Sequence, residues 1–211
     1  MKILVIGASK GTGALVVKEA LERGHAVSAF SRSPERLGIQ HAHLSSVPGD
    51  FHDAQAVSDA VRGQNAVIVT AAPATLKGFK ENPNFFSQGT ALVVDAMRAH
   101  GVKRLVVLSA FGAGDSRKNA TFLLDKLLIP FLLKGPYQDH ERQERLVMAS
   151  GLDWVIARPT RLTSGPAHKR YLKETSPKRV PSSISRADVA DFLLEAATVD
   201  TWLGHAVGLG G

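Results

Sequence analysis

The sequence predicts an α/β protein of the Rossmann type, a doubly wound parallel sheet with helices on both faces in a single domain. Short, continuous apolar runs, typical of strands buried on both faces, alternate with segments whose apolar residues recur at helical spacing. The first such unit, within residues 1–36, reads as strand, glycine-rich turn, helix and second strand. Alternation with short links is the pattern of a parallel sheet wound in both directions.

The first unit carries the strongest functional signal. Residues 3–6 (Ile-Leu-Val-Ile) form a strand, the turn at 7–13 has the pattern G-x-x-x-G-x-G, residues 14–23 form a helix that stops at Gly24, and 25–30 form the second strand. Such a turn presents free helix N–H groups and the positive end of the helix dipole to an anion, usually a dinucleotide pyrophosphate. The predicted cofactor contacts are Gly7, Ser9, Lys10, Gly11, Thr12 and Gly13. The alternative is a turn that only reverses the chain.

The end of the second strand indicates which dinucleotide binds. The strand is followed by Ser31 and Arg32, and not by the acidic residue that would hold a ribose 2′-hydroxyl. Arg32, with Lys10 and Arg36 nearby, suits a 2′-phosphate, so we predict NADP(H) as the cofactor. The alternative is that Arg32 and Arg36 are solvated loop charges.

Composition limits the class of protein. A chain of 211 residues, 44% hydrophobic and 21% charged, is expected to form one soluble domain over 1–211. The absence of cysteine excludes disulfides and thiol catalysis and fits a cytoplasmic location. We expect no signal peptide, because the N-terminus reads as a strand with one lysine and no cleavage site. We expect no membrane span, because no apolar run reaches about 18 residues. No histidine spacing suits zinc, so no metal site is expected.

The positive charge is concentrated late in the chain. The formal net charge is +7, and residues 161–186 hold seven Lys or Arg against one acid. The rest of the chain is therefore near neutral, which argues against nucleic acid as a partner. The basic stretch predicts a solvated face or a surface that attracts an anionic small molecule. We expect a small-molecule acceptor as substrate and a monomer or weak homodimer.

The remaining elements continue the alternation. Strands are predicted at 41–48, 65–70, 102–108, 152–157 and 206–209, and helices at 54–62, capped by Asp53, and at 85–100, 137–150 and 186–198, the last capped by Ser185. Because the carboxyl ends of parallel strands meet at one edge, the residues that follow them should line the ligand crevice. Those residues are Asp50, Phe51, Ala71, Ala72, Pro73, Ser109, Ala110, Pro159 and Thr160.

Three segments lie outside this pattern. Residues 74–84, rich in Lys, Gly, Asn and Pro, predict a loop. Residues 160–185, with three prolines and little periodicity, predict a loop region on the substrate side of the crevice. The apolar segment 121–133 is too short to cross a bilayer. It fits a hydrophobic lid over the nicotinamide side of the crevice, a dimer face, or a buried helix kinked at Pro130.

The chain resembles atypical short-chain dehydrogenase/reductases of the NmrA-like, NAD(P)H-binding group, and within it the flavin reductase and biliverdin-IXβ reductase family. The residues that carry the resemblance are the turn at 7–13, Gly49-Asp50, 65–69, 99–102, Ser109-Ala110-Phe111, Asp139-His140, 150–152 and 185–188. The resemblance implies cofactor or active-site roles for Thr12, Arg32, Arg36, Asp50, Ser109 and His140. Ser109 and His140 are thus the catalytic candidates, although His140 also fits a surface position on a helix.

The chain departs from the family at the expected proton donor. Short-chain dehydrogenases pair a Tyr with a Lys four residues later, but here Glu141 follows Tyr137 and Thr175 follows Tyr171 at that spacing. Ser109 lacks the G-x-S-x-G pattern of a nucleophile. Glu144 stands where the flavin reductases have a second histidine, which makes biliverdin a doubtful substrate.

The predicted function is an NADPH-dependent reductase that transfers hydride to a flat, conjugated acceptor such as a flavin, quinone or tetrapyrrole. Such an acceptor spreads the added electrons over its ring system, and solvent can supply the proton. Two alternatives remain. One is a non-catalytic NADP(H)-binding redox sensor that docks a partner through 121–133, and the other is an epimerase-like enzyme that uses bound cofactor.

Overall fold

The computed structural model describes residues 1–73, 75–119, 123–176 and 180–211, without the side chains of 76, 123–125, 130 and 132. The strands are β1 Lys2–Ile6, β2 Ala26–Ser31, β3 Leu44–Pro48, β4 Ala66–Val69, β5 Arg104–Leu108, β6 Asp153–Pro159, β7 Arg161–Thr163, β8 Leu172–Glu174, β9 Ser183–Ser185 and β10 His205–Gly210. The α-helices are α1 Gly11–Glu22, α2 Ala54–Val61, α3 Leu76–Glu81, α4 Phe85–His100, α5 Lys134–Met148 and α6 Arg186–Thr198. Short 3₁₀ helices span Pro34–Leu37 and Gly114–Asn119, and a π-helical segment spans Leu123–Leu133.

The main sheet confirms the predicted fold. Its strand order is β3-β2-β1-β4-β5-β6-β10-β8. Every pairing from β3 to β10 is parallel, and β8 closes the edge antiparallel to β10. The chain winds outward from β1 in both directions, since β1 pairs with β2 on one side and β4 on the other. This switch point opens the crevice in which α/β folds of this type bind ligands.

The first strand shows why its sequence is continuously apolar. Ile3 and Val5 pack into the core beneath α1 and α6, whereas Leu4 and Ile6 pack into the core on the opposite face, beneath α2, α4 and α5. All four side chains are at most 1% exposed. Helices therefore cover both faces of the strand, as in other parallel sheets.

Local capping fixes where the helices begin and end. The Asp53 carboxylate accepts hydrogen bonds from the N–H groups of Gln55 and Ala56 at 3.0 and 3.1 Å, which confirms it as the N-cap of α2. Ser185 caps α6 in the same way. Gly101, with φ 68°, ends α4 in the left-handed conformation.

Two segments predicted as loops contain short regular elements. Within 74–84, residues 76–81 form α3, because Thr75 accepts the N–H of Gly78 at 3.3 Å and so caps a helical turn. Within 160–185, the chain forms β7, β8 and β9, and residues 177–179 lie outside the described part. These three-residue strands depend on partners distant in sequence, since Leu162 pairs with Ile184 and β8 pairs with β10. Local periodicity could not reveal them.

The apolar segment is helical and leads directly into α5. Leu127, Leu128 and Phe131 are 48%, 37% and 82% exposed, whereas Ile129 is 2% exposed. The buried-helix interpretation is therefore wrong for these side chains, while the lid and the dimer face remain open. Residues 121 and 122 of this segment lie outside the described part. Among the described residues, no helix is both long enough and apolar enough to cross a bilayer.

Candidate cofactor and active site

The glycine turn packs directly against the end of β4. Gly7 has φ 89°, and its N–H donates to the Phe30 carbonyl at 2.9 Å. A Cβ at Gly7 would lie 2.6 Å from the backbone nitrogen of Ala71, so only glycine fits there. The turn thus joins the ends of β1, β2 and β4 at the switch point.

Gly13 fixes the helix behind the turn. A Cβ at this position would lie 2.3 Å from the Gly7 carbonyl oxygen and 2.5 Å from Oγ1 of Thr70. Thr70 in turn donates to the Ile6 carbonyl at 2.9 Å, a supporting role that the sequence did not reveal. Gly11 differs, because a Cβ there would meet nothing within 4 Å, although φ is 59°.

The first turn of α1 is open to an anion. Helix α1 begins at Gly11, three residues earlier than predicted, and its N-cap residue Lys10 makes no side-chain hydrogen bond to it. Thr12 is buried and Ser9 partly buried beside the exposed Lys10. The unpaired N–H groups and the helix dipole therefore favour a negatively charged ligand such as a pyrophosphate.

The end of β2 has the features expected of a phosphate site. The Ser31 hydroxyl is buried and has no hydrogen-bond partner in the described part of the chain. Arg32 and Arg36 are exposed, as is Lys10, and no ion pair involves any of the three within the described ranges. An orphaned buried hydroxyl beside cations without carboxylate partners fits a bound anion.

The three residues that follow β3 differ in their surroundings. A Cβ at Gly49 would lie 2.4 Å from the Phe30 ring, so the chain passes close over β2 there. The Asp50 side chain is 49% exposed and accepts the His52 N–H at 2.9 Å, which leaves carboxylate oxygen available to a ligand. The Phe51 ring instead packs in the core against Gly89 of α4. Only the backbone of Phe51 is therefore available for a contact with the cofactor.

The remaining crevice candidates follow β4, β5 and β6. Ala71, Pro73 and Ala110 are partly buried, Ala72 is exposed, and Pro159 is buried. The Pro159 carbonyl accepts the N–H of Phe111 at 2.9 Å, which ties the β5 and β6 ends together. The N–H and the hydroxyl of Thr160 both donate to the Leu209 carbonyl, at 2.9 and 3.2 Å, so these donors are occupied.

Ser109 belongs to a buried ionic network that sequence reasoning missed. Its hydroxyl lies 2.7 Å from Oε1 of Glu144, and the Arg158 guanidinium contacts both Glu144 oxygens at 2.9 and 2.8 Å. Arg158 also contacts Asp115 at 2.5 Å. Burial opposes the charge of Arg158, but Glu144 and Asp115 outweigh it and raise the pKa of Arg158. The sequence signal for it was Arg158, a charged residue directly after the apolar strand predicted at 152–157.

His140 is buried, so the surface-helix interpretation is wrong. Its ring stacks on Phe86 with centroids 3.9 Å apart and planes at 20°, and its Nδ1 lies 3.0 Å from the Gln143 side-chain oxygen. Burial lowers the pKa of His140, against smaller opposing effects of Gln143, Glu144 and Asp139. His140 is therefore mainly neutral near pH 7 and a poor proton donor.

Both tyrosines donate to oxygens of the chain itself. The Tyr137 hydroxyl donates to the Phe111 carbonyl at 3.0 Å, and burial raises the pKa of Tyr137 to about 12. The Tyr171 hydroxyl donates to Asp191 at 2.8 Å, and burial together with that carboxylate raises the pKa of Tyr171. Neither phenol is prepared to protonate a substrate carbonyl.

Part of the basic stretch is neutralised within the fold. Lys173 pairs with Glu195, and Lys169 lies 3.7 Å from both Glu19 and Asp191. These carboxylates belong to α1 and α6, so the two lysines secure the chain to its own helices. Residues 178 and 179 of the stretch lie outside the described part.

Taken together, the switch-point crevice, the glycine turn, the uncapped α1 and the exposed cations after β2 define a dinucleotide-binding fold of the Rossmann type. Sequence comparison agrees, because the profile of the NAD(P)H-binding family matches residues 7–200. The chain belongs to this family.

The similarity to an individual relative covers a smaller part of the chain than the family profile does. A 2-alkyl-3-oxoalkanoate reductase of Stenotrophomonas maltophilia is 40% identical over 112 residues, 52% of this chain and 33% of that protein. The chain therefore matches about a third of that relative's length.

Solved structures share the whole fold. A short-chain dehydrogenase/reductase of Veillonella parvula in complex with NADP superposes with TM-score 0.84 and 19% identity, over 100% of this chain and 94% of that one. ChuY, described as an anaerobillin reductase, from Escherichia coli O157:H7 gives TM-score 0.81 and 23% identity, over 100% and 97%. At these identities the likeness establishes the fold alone.

Proposed function

We propose that the protein is an NADPH-dependent reductase that delivers hydride to a flat, conjugated acceptor such as a flavin, quinone or tetrapyrrole. Bound NADPH supplies the hydride, which carries two electrons and one proton, and the second proton comes from solvent. The residues of the chain bind the cofactor and hold the acceptor at the strand ends. Of the solved structures above, ChuY is described as an anaerobillin reductase, which supports reduction as the reaction type.

The observation that carries the proposal is the hydrogen bond from Tyr137 to Phe111. The phenol at the start of α5 is committed to a backbone oxygen at 3.0 Å, with its pKa raised to about 12. His140, with its lowered pKa, does not replace it as an acid. An isolated ketone needs a proton donor at its oxygen in the transition state, whereas a conjugated ring accepts hydride as a stabilised anion. The site therefore favours the conjugated acceptor.

The cofactor proposed is NADP(H), with Ser31, Arg32 and Arg36 holding the 2′-phosphate. Two observations support this choice: among the described residues, the buried Ser31 hydroxyl has no hydrogen-bond partner and neither arginine has an ion-pair partner. The first turn of α1, from Lys10 to Gly13, holds the pyrophosphate, and Asp50 the adenine. An anionic acceptor gains little from Lys169 and Lys173, because both already have carboxylate partners.

A steady-state acceptor panel tests the function. NADPH oxidation is measured with riboflavin, menadione and biliverdin, and in parallel with cyclohexanone as an isolated ketone. We expect turnover with at least one conjugated acceptor and none with the ketone. Turnover of the ketone alone would contradict the proposal. Arg32→Glu, assayed with the same panel, shows whether the observed turnover depends on the cofactor site described above.

The second candidate function is a redox sensor in which the NADP(H)-binding fold docks a partner protein. The exposure of Leu127 and Phe131 on the π-helical segment favours it, because apolar side chains grouped at a surface often mark interaction sites. Binding of NADPH without oxidation by any acceptor of the panel would favour this function.

A further inference from the structure

His52 lies between the Asp50 carboxylate and the start of α4. Its Nδ1 is 3.3 Å from Oδ1 of Asp50, and its backbone N–H donates to the same oxygen at 2.9 Å. On the opposite side of the ring, Nε2 is 3.0 Å from the Phe85 carbonyl oxygen and 3.5 Å from the Asn82 side-chain nitrogen. The side chain therefore connects the loop after β3 to the first residue of α4.

The neighbours of the His52 ring fix its orientation. The ring packs edge-on against Phe85 and Phe51, with centroids 4.6 and 5.3 Å apart. The Phe85 carbonyl oxygen can only accept a hydrogen bond, so Nε2 carries a proton and donates to it. Because the ring is held in this way, Nδ1 stays directed at Asp50, and a proton on Nδ1 as well makes that contact charge-assisted.

Both contacts of His52 engage the same oxygen of Asp50. Among the described residues, Oδ1 is the Asp50 side-chain oxygen in every hydrogen bond and ion pair, and Oδ2 has no partner. The side chain is 49% exposed, so the carboxylate is accessible to a ligand. The preceding Gly49 donates its N–H to the Ser31 carbonyl at 3.1 Å, which places Asp50 beside the end of β2, on the cofactor side of the sheet.

We propose that His52 is a positioning residue that turns Oδ2 of Asp50 toward the adenine, so that the site selects the 6-amino group of this purine. Because His52 holds Oδ1, the other carboxylate oxygen is left to accept a hydrogen bond from that amino group. A purine with a carbonyl at this position offers no donor there and sets an oxygen against the carboxylate. This inference rests on the cofactor part of the proposed function, in which Asp50 holds the adenine.

The test compares two cofactors that differ in one group. NADPH carries adenine, whereas reduced nicotinamide hypoxanthine dinucleotide phosphate has a carbonyl oxygen in place of the 6-amino group. The dissociation constants of both for the full chain are measured by isothermal titration calorimetry. We expect the wild type to bind NADPH about tenfold more tightly, the lower end of the range for a hydrogen bond to a charged group, because Asp50 is half exposed.

Two variants separate positioning from packing. His52→Asn keeps a side-chain nitrogen near the place of Nδ1, where it still donates to Asp50. His52→Gln keeps one near the place of Nε2, where it reaches only the Phe85 carbonyl. We expect His52→Asn to retain the preference for NADPH within about twofold and His52→Gln to reduce it to less than about threefold. The affinity for the hypoxanthine cofactor should stay the same in both, and circular dichroism shows that each variant is folded.

The outcomes distinguish this inference from the proposed function. Equal affinity of the wild type for the two cofactors, or a full wild-type preference in His52→Gln, would overturn the selection of the amino group through His52. Loss of the preference in both variants, or equal weakening of both cofactors, would make His52 a structural residue only. None of these results concerns hydride transfer, which the acceptor panel measures. Failure of the wild type to bind NADPH would contradict the inference and the proposed function together.

Discussion

Asp139 on α5 accepts the backbone N–H of Phe86, 53 positions earlier in the chain, at 2.6 Å and so caps α4. The same carboxylate accepts the Ser87 hydroxyl at 2.5 Å and its N–H at 3.4 Å. The local N-cap, Asn84, makes no side-chain hydrogen bond. His140, the next residue, stacks on Phe86. The Asp139-His140 pair therefore docks α5 onto the start of α4.

Replacing the capping carboxylate should destabilise the fold. Asp139→Ala leaves buried N–H and hydroxyl donors of α4 without an acceptor, which costs about 1–3 kcal/mol. Urea denaturation followed by circular dichroism measures the loss. Asp95→Ala, at an exposed position of α4, is the matched control and should change stability by less than about 0.5 kcal/mol. Equal effects of the two variants would contradict the capping role.

Gly13→Ala should disturb the turn and the cofactor site together. The added Cβ would lie 2.3 Å from the Gly7 oxygen, and overpacking of this kind costs about 1–3 kcal/mol. We expect lower stability and weaker NADPH binding by calorimetry. Gly135→Ala, where a Cβ meets nothing within 4 Å, should leave both unchanged. Unaltered NADPH affinity in a folded Gly13→Ala protein would refute the role of the turn.

Arg32→Glu should weaken NADPH binding far more than NADH binding. A hydrogen bond to a charged group contributes about 1.5–3 kcal/mol, so we expect a loss of roughly ten- to a hundredfold for NADPH. The control is Arg62→Glu, a charge reversal at the far end of α2. Equal losses for the two cofactors would remove the 2′-phosphate assignment.

Stability should fall in mild acid because of His140. Its folded-state pKa is lowered, so below the ordinary value of about 6.5 the unfolded chain binds a proton that the folded chain does not. The free energy of unfolding then decreases as the pH falls through this range, by at most about 1.4 kcal/mol per pH unit. Burial also lowers the pKa of His25, so the contribution of His140 is the difference from His140→Phe. If the free energy of unfolding depends on pH in the same way in the wild type and in His140→Phe, His140 makes no such contribution.

The sequence was sufficient for the parts of the structure that local patterns encode. The apolar run at 3–6, the glycine turn and the cap at Asp53 each have a local cause, and each was predicted. The caps and pairs formed between distant residues were not, because Asp139 with Phe86 and Glu144 with Arg158 have no fixed spacing. The strands within 160–185 escaped detection for the same reason. The burial of His140 follows from its stacking on Phe86, which a polar helix pattern does not reveal.

On the cofactor side, the sequence predicts the positions of the residues better than on the acceptor side. Gly7 and Gly13 contact each other at the end of β1, as the turn pattern predicts, and their roles toward a cofactor stay a prediction. The acceptor side depends on which hydroxyl protons are already committed. The Tyr137 proton is directed to the Phe111 carbonyl and the Ser109 proton to Glu144. Neither contact can be read from the sequence.

The central claim is that hydride transfer needs no proton donor from the protein. The most direct test is stopped-flow oxidation of bound NADPH by a conjugated acceptor in the wild type, Tyr137→Phe and His140→Ala. General acid catalysis contributes about 10²–10⁴-fold to a rate. We predict that the rate constant for NADPH oxidation in both variants stays within about tenfold of the wild-type value at every pH at which the proteins are folded. A loss of about a thousandfold in His140→Ala, with a wild-type pH limb near 6.5 that disappears in the variant, would contradict the account and make His140 the proton donor.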